Sequence, residues 1–219
     1  MRSLYTTTQP IAKEGWNRIV FMGMLFLLAY ALSFLSWLFF ILLAWTAYSY
    51  RNPERIPEED DERALLAPID GKVTSIAKAT LNEGNEMLRI VIQKSFWDVG
   101  VLRAPMPLVV TEVKNRFGLF MDEENPLFTT LSERKVLTCK SASVVFKLAI
   151  YVGQWGHKID FFAKSGGFKS GERLGFLNAG ELVLLVPLDT RLKVVLNDSV
   201  KAGESVLGYF AYKDSNDRE

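Results

Sequence analysis

Between Ile19 and Tyr50 the chain carries 32 consecutive residues without a charge, and Leu, Phe, Trp and Tyr dominate them. Such a run sets the organisation of the whole N-terminal part, because nothing in it can be left in water along one polar face. As one helix rising about 1.5 Å per residue it would reach about 48 Å, well beyond the ~30 Å hydrocarbon core of a bilayer. Two arrangements satisfy it: a tilted single span, or a hairpin of two short helices bent near Ser33 to Ser36 that dips into one leaflet and returns. Flanking charge does not choose between them, since Arg2, Lys13 and Arg18 precede the run and Arg51 and Arg55 follow it. A core helix would be shorter, and a cleaved signal sequence would end in a small-residue pattern not found here. Residues 1–50 are therefore expected to be a membrane segment. The hairpin form puts both termini on the cytoplasmic side of the inner membrane, with a globular domain facing the cytoplasm.

The composition changes abruptly after this segment. Glu58, Glu59, Asp60, Asp61 and Glu62 make residues 51–66 an acidic, solvated linker. From residue 67 to 212 the chain reads as short Val-, Leu- and Ile-rich strands between Gly, Pro, Asn and Asp turns: Leu88–Ile92, Val99–Val101, Leu108–Val113, Val144–Tyr151, Leu182–Val186 and Leu192–Leu196. The expected fold is mainly β, an antiparallel sandwich or barrel-like domain, with a polar tail over 213–219. A net charge of +1 argues against nucleic acid as a partner. One cysteine, Cys139, excludes an internal disulfide, and no C-x-x-C or histidine cluster offers a metal site.

A short repeat marks the C-terminal half. Phe168-Lys169-Ser170-Gly171-Glu172 recurs as Val200-Lys201-Ala202-Gly203-Glu204. An apolar residue, Lys, a small residue, Gly and Glu suit a strand entering a tight turn in which Gly accepts positive φ. Paired turns of this kind also occur in lipoyl-type and biotinyl-type barrels, but no lysine sits at a hairpin tip as a carrier would need. The repeat is read as architecture.

Two segments carry a family likeness: Ala67-Pro68-Ile69-Asp70-Gly71-Lys72-Val73 and Asp98-Val99-Gly100-Val101-Leu102-Arg103-Ala104-Pro105. They resemble S-P-A-D-G-K-V and D-V-H-V-N-R-A-P, the hallmarks of the short, membrane-attached phosphatidylserine decarboxylases. Further fragments follow in the family's order. Arg51-Asn52-Pro53-Glu54-Arg55 with Pro57 resembles R-D-P-E-R-x-P, Gly118-Leu119-Phe120 resembles G-K-F, and Ser132-Glu133-Arg134 is a remnant of N-E-R. Gly153, Lys158 and Ile159 are in register with Q-I-A-G-x-x-A-R-R-I, and Gly171 to Glu181 resembles G-E-R-F-G-x-I-K-F-G-S.

The resemblance implies a carboxy-lyase that makes its own pyruvoyl cofactor by breaking the chain before an internal serine, then uses that carbonyl as an electron sink. Here the position after Gly180 is Glu181, and a carboxylate cannot undergo the acyl shift and elimination. None of the fifteen glycines is followed by Ser, Thr or Cys. Gly100 stands where the family's histidine would transfer protons. Asp70 matches the family's motif aspartate and is the retained catalytic candidate, although Asp before Gly is also a favoured turn with the side chain bonding its own backbone. His157, the only histidine, lies where the family carries arginine and suits a surface or phosphate-facing role. Arg103 and Lys158 are the candidate lipid-binding cations. The expectation is a decarboxylase-like pseudoenzyme, without a cofactor, that binds anionic phospholipid or a partner such as an active homologue or a second copy of itself. The alternative is a working decarboxylase with an unorthodox site.

Overall fold

The computed structural model describes residues 9–59, 61, 63–80, 85–141, 144–154, 156, 159–161 and 166–211. The chain forms two compact units, Met1–Glu54 and Arg55–Glu219.

In the first unit the uncharged run is broken rather than continuous. Helix α1 (Trp16–Ala31) and helix α2 (Ser36–Ser49) pack on each other through contacts such as Phe26 against Phe40, ring centroids 5.8 Å apart. The reversal between them is built from Ser33 and Leu35, both at positive φ, with the Phe34 N–H donating to the Ala29 carbonyl. This overturns the single tilted span. At 1.5 Å per residue the helices are about 24 and 21 Å long, and no described helix is long and apolar enough to cross a membrane. The base of the hairpin is polar and cross-tied. Ala12 N–H donates to Tyr50 O at 2.7 Å, Asn52 N–H to Pro10 O at 2.8 Å, and Arg18 to the Tyr50 hydroxyl. Above that base, large apolar side chains are exposed all round, Phe21, Met24, Leu28, Trp37, Phe40 and Ile41 among them.

The second unit is mainly β, and every pairing between its described strands is antiparallel. Its strands are β1 (Ala64–Leu66), β2 (Gly71–Thr80), β3 (Glu86–Lys94), β4 (Val101–Arg103), β5 (Leu108–Arg116), β6 (Arg134–Ser141), β7 (Val144–Val152), β8 (Asp160–Phe161), β9 (Gly166–Phe168), β10 (Arg173–Phe176), β11 (Gly180–Pro187), β12 (Arg191–Leu192), β13 (Ser199–Val200) and β14 (Val206–Tyr209), with one helical turn, α3 (Phe128–Leu131). Eight strands make one sheet in the order β13-β2-β3-β11-β7-β6-β5-β9, and two three-stranded sheets, β1-β14-β12 and β4-β10-β8, complete the unit. The large sheet has free edges, so the described strands form no closed barrel. Period-two alternation sends Leu182, Leu184 and Val186 of β11 inward, with Ile90 and Ile92 of β3 and Leu148 and Ile150 of β7, into one core shared by all three sheets. Each such fully buried side chain contributes about 1.5–3 kcal/mol. On the opposite face Val91, Ala149 and Val183 form a smaller cluster.

All six expected strands differ in extent: Leu108–Val113, Val144–Tyr151 and Leu182–Val186 lengthen to Leu108–Arg116, Val144–Val152 and Gly180–Pro187. Of Leu192–Leu196 only Leu192 is in a strand, at the end of β12, because Lys193 and Val194 both donate to the Leu207 carbonyl and the chain then turns through Asn197 at positive φ. Val99–Val101 begins two residues later, as β4. Leu88–Ile92 lengthens to Glu86–Lys94. The acidic segment is tied to the second unit. Glu59 accepts from Lys193 Nζ at 2.7 Å and from the Tyr209 hydroxyl, Glu58 N–H donates to Glu204 O, and β1 begins at Ala64.

The sequence repeat becomes a pair of facing turns. Gly171 and Gly203 adopt φ of 72° and 70°, and their N–H groups donate to Ala104 O and Ala67 O, two alanines that each precede a proline. The two copies thus close on corresponding Ala-Pro corners, at the end of β4 and the end of β1.

Candidate functional site

The sequence-expected residues fall into three places. The first is beneath the paired turns. Asp70 ends the β1–β2 corner, and its carboxylate accepts from Arg55 Nη2 at 2.8 Å and from the Ala202 N–H at 2.7 Å. Arg55 also donates to Glu204 at 3.0 Å. The Asp70 carboxylate is thus spent on a distant turn, not on its own backbone as the Asp-Gly pattern suggests. Arg103, 3% exposed, donates to the Gly171 carbonyl at 3.0 Å, and its Cδ is the atom a Cβ on Gly203 would meet first. Burial, helped by the nearby Arg55 and Arg173, lowers its pKa from the ordinary value. This makes Arg103 a brace between the turns, and it does not line the cleft described below. Lys158 and His157 lie outside the described residues.

The second place is around Gly100. Its carbonyl accepts from Leu177 N–H at 2.8 Å, and a Cβ here would lie 2.5 Å from Phe176 Cζ, 2.7 Å from Phe176 Cε2 and 2.8 Å from Leu177 O. The Phe176 ring therefore fills the space a side chain at position 100 would need.

The third place is the start of β11. Gly180 has φ of 141°, and any Cβ would run into the Tyr151 carbonyl. Glu181 follows, half-buried on the face opposite the main core, paired with Gln93 on one side and Tyr151 on the other. Lys72 pairs with Gln93 in turn, so a polar row, Lys72–Gln93–Glu181–Tyr151, crosses four adjacent strands. Burial first, and then the charge of Glu123, raise the Glu181 carboxyl above its ordinary value, with Arg89 opposing. Glu123 is itself raised by burial. A Cβ on Gly153 would collide with the Glu123 carboxylate while lying 3.1 Å from Gly180 Cα, so this carboxylate stands against the start of β11.

A cleft of about 590 Å³ opens beside this row, lined by Gly71, Lys72, Gln93, Lys94, Ser95, Phe96, Trp97, Asp98, Glu123, Ala179 and Ser199. That volume lies within the range of roughly 300–1,000 Å³ usual for small-molecule sites. All three degenerate motifs contribute to it, through Gly71 and Lys72, Asp98, and Ala179. One wall carries an aromatic pair, Phe96 edge-on to Trp97. Its back is held by Lys94, which is 2% exposed and donates to the carbonyls of Ser95, Asp98 and Asn178 at 2.8, 2.9 and 2.6 Å. The ammonium so ties the loop after β3 to the turn before β11. The Asp98 carboxylate accepts from the Ser95 N–H at 2.8 Å and pins the same loop.

Lys72, Lys94, Glu123 and Phe176 were not singled out from the sequence. Lys94 had a signal: it occupies an inward position after Ile90 and Ile92, where a strand facing the core calls for an apolar residue. The residues at the start of β11 do not fit a pyruvoyl group. Position 181 offers a carboxylate in place of a hydroxyl or thiol, and a second carboxylate stands beside it.

Residues 42–208 match the family model described as phosphatidylserine decarboxylase. Among curated proteins, the phosphatidylserine decarboxylase proenzymes of Geobacter sp. (strain M21) and of Citrifermentans bemidjiense are each 33% identical over 214 residues, covering 92% of this chain and 97% of the relative. That of Desulfotalea psychrophila is 30% identical over 215 residues, covering 91% and 96%. No solved structure gives a significant match. With the family model spanning most of the chain and the relatives aligned almost end to end, the chain belongs to the phosphatidylserine decarboxylase family.

Proposed function

We propose that this protein is a decarboxylase-family pseudoenzyme that binds phospholipid headgroups at a membrane surface without breaking the carbon–carbon bond. The observation that carries this reading is Glu181 after Gly180, where the family's chemistry needs a hydroxyl. Chain cleavage to a pyruvoyl group requires an oxygen nucleophile to attack the preceding carbonyl and then leave by elimination, and a carboxylate does neither. Position 100 supplies no proton carrier, and the packing of Phe176 against Gly100 fills the space for one. The cleft persists, which supports binding separated from catalysis. Membrane attachment is assigned to the α1–α2 hairpin, whose apolar exterior suits acyl chains and whose short helices return the chain to the side it entered.

The test is the intact mass of the purified full-length chain together with carbon dioxide release from carboxyl-labelled phosphatidylserine. A single species near 24.8 kDa and no release are expected. Two fragments, the smaller starting after Gly180 with a blocked N-terminus, or release above a protein-free control, would overturn the reading in favour of an active decarboxylase with an unorthodox site.

A further inference from the structure

The expectation of an anionic headgroup rested on Arg103 and Lys158 as lipid-binding cations; Arg103 is buried, and Lys158 lies outside the described residues. The charges that border the cleft have a different pattern. At one end is the Lys72 ammonium, exposed on β2. At the other the Glu123 carboxylate stands against the start of β11, and Glu181, paired with the cleft residue Gln93, lies beside the lining rather than in it. Lys94 and Asp98 contribute little net attraction for a ligand, since both charges are engaged on backbone groups of the cleft wall. Lys72 and Glu181 sit on strands separated only by β3, two strand spacings or about 10 Å between backbones. Lys72 and Glu123 both line the cleft, which leaves room for a phosphate at the lysine end and an ammonium at the carboxylate end.

Resting on the headgroup-binding reading above, we infer that the cleft selects an ethanolamine-phosphate zwitterion, a phosphate and a primary ammonium with no carboxylate, over the serine-phosphate headgroup named in its relatives' activity. A primary ammonium offers three donors, to which the half-buried Glu123 carboxylate can act as a charge-assisted acceptor, with the Glu181 carboxylate adding negative charge nearby. A serine headgroup carries a carboxylate on the same carbon as the ammonium, so it cannot deliver one to Glu123 and Glu181 without bringing the other. In a partly desolvated cleft that like-charge contact is the discriminating element. The Ser-to-Glu difference at position 181 thereby does two things at once. It removes the chemistry, and it reverses the preference for the group on which that chemistry would act.

The experiment is calorimetric titration of the full-length protein in neutral detergent with short-chain phosphatidylethanolamine and phosphatidylserine, and with the glycerophospho-esters of ethanolamine and serine, which lack acyl chains. The ethanolamine form should bind at least tenfold more tightly, which is about 1.4 kcal/mol. Glu123→Gln and Glu181→Ser should each cut that preference at least threefold, with Lys72→Ala weakening both headgroups alike. Equal affinity of ester and lipid would assign the source to a soluble headgroup ester, and tighter lipid binding to the membrane; the zwitterion assignment holds in either case. A serine form bound as tightly or more tightly, or a preference untouched in both carboxylate variants, overturns the inference while leaving headgroup binding intact. No binding of any headgroup overturns the inference and the binding reading together.

Discussion

Restoring a histidine at position 100 should destabilise this protein before it restores anything. A side chain there begins 2.5 Å from Phe176 Cζ and 2.7 Å from Cε2, whereas carbon atoms rest about 3.5–4.0 Å apart. The ring must therefore retreat by about 1 Å or leave its rotamer, within a core that has no spare volume. Overpacking of this kind costs about 1–3 kcal/mol. In a unit of about 165 residues each kcal/mol lowers the midpoint by about 2–4 °C, so Gly100→His should lose roughly 2–12 °C. Phe176→Leu shortens the clashing side chain and should recover part of that loss in the double variant, a favourable coupling of about 1 kcal/mol or more. The recovery stays incomplete, because Leu177 O lies 2.8 Å from the new Cβ and is backbone. Thermal unfolding of the four full-length proteins of this cycle in detergent, followed by near-ultraviolet circular dichroism, measures it. A midpoint for Gly100→His within 1 °C of the parent, or strictly additive losses in the cycle, would refute the argument that Phe176 and Gly100 are a matched pair.

Two further outcomes follow from the same geometry. Because burial raises the Glu181 carboxyl from its ordinary value of 4.5, the folded state keeps that proton to a higher pH than the unfolded chain does, and the ionised form costs stability once pH rises above that value. Glu181→Gln should accordingly raise the midpoint at pH 8, with the gain shrinking to nothing as pH falls below 4.5; a gain that does not depend on pH refutes the burial account. Asp70→Asn keeps an acceptor for the Ala202 N–H but removes the charge facing Arg55, and should cost about 1–3 kcal/mol. A loss under 0.5 kcal/mol in urea unfolding would show that the buried pair carries no net stability.

Much of the architecture was legible because it rests on short-range rules. The uncharged run allowed a helical hairpin bent near Ser33 to Ser36 as one of two arrangements, and the Gly171 and Gly203 repeats announced tight turns; the chain forms the hairpin and the paired turns. Two long strands escaped notice. In β2 and β6 the core-facing apolar residues are few, Val73 and the half-buried Ile76 in one and Leu137 and Cys139 in the other, and apart from Val136 the residues between them are mostly Lys, Thr and Ser. Half-exposed strands of that kind are defined by cross-strand partners rather than by their own hydrophobicity. At the site, the missing groups at 100 and 181 could be read from motif positions alone. What fills their places could not, since Phe176 reaches Gly100, and Glu123 reaches the start of β11, only through pairings between remote segments.

The facing turns bear on how this chain reaches its native state. Arg103 must be seated before Gly171 can give it a carbonyl, and Gly203 closes over the same guanidinium stem, so one side chain waits on segments 68 and 100 residues further along. Contacts so far apart in sequence are the kind that slow a β-protein's search, because each closes a long loop before any reward is collected. The cationic brace should therefore be among the last features to form during refolding and among the first lost on unfolding. On the ribosome the Ala67 corner would stay open until Gly203 had cleared the exit tunnel, well after the Ala104 corner had its partner in Gly171.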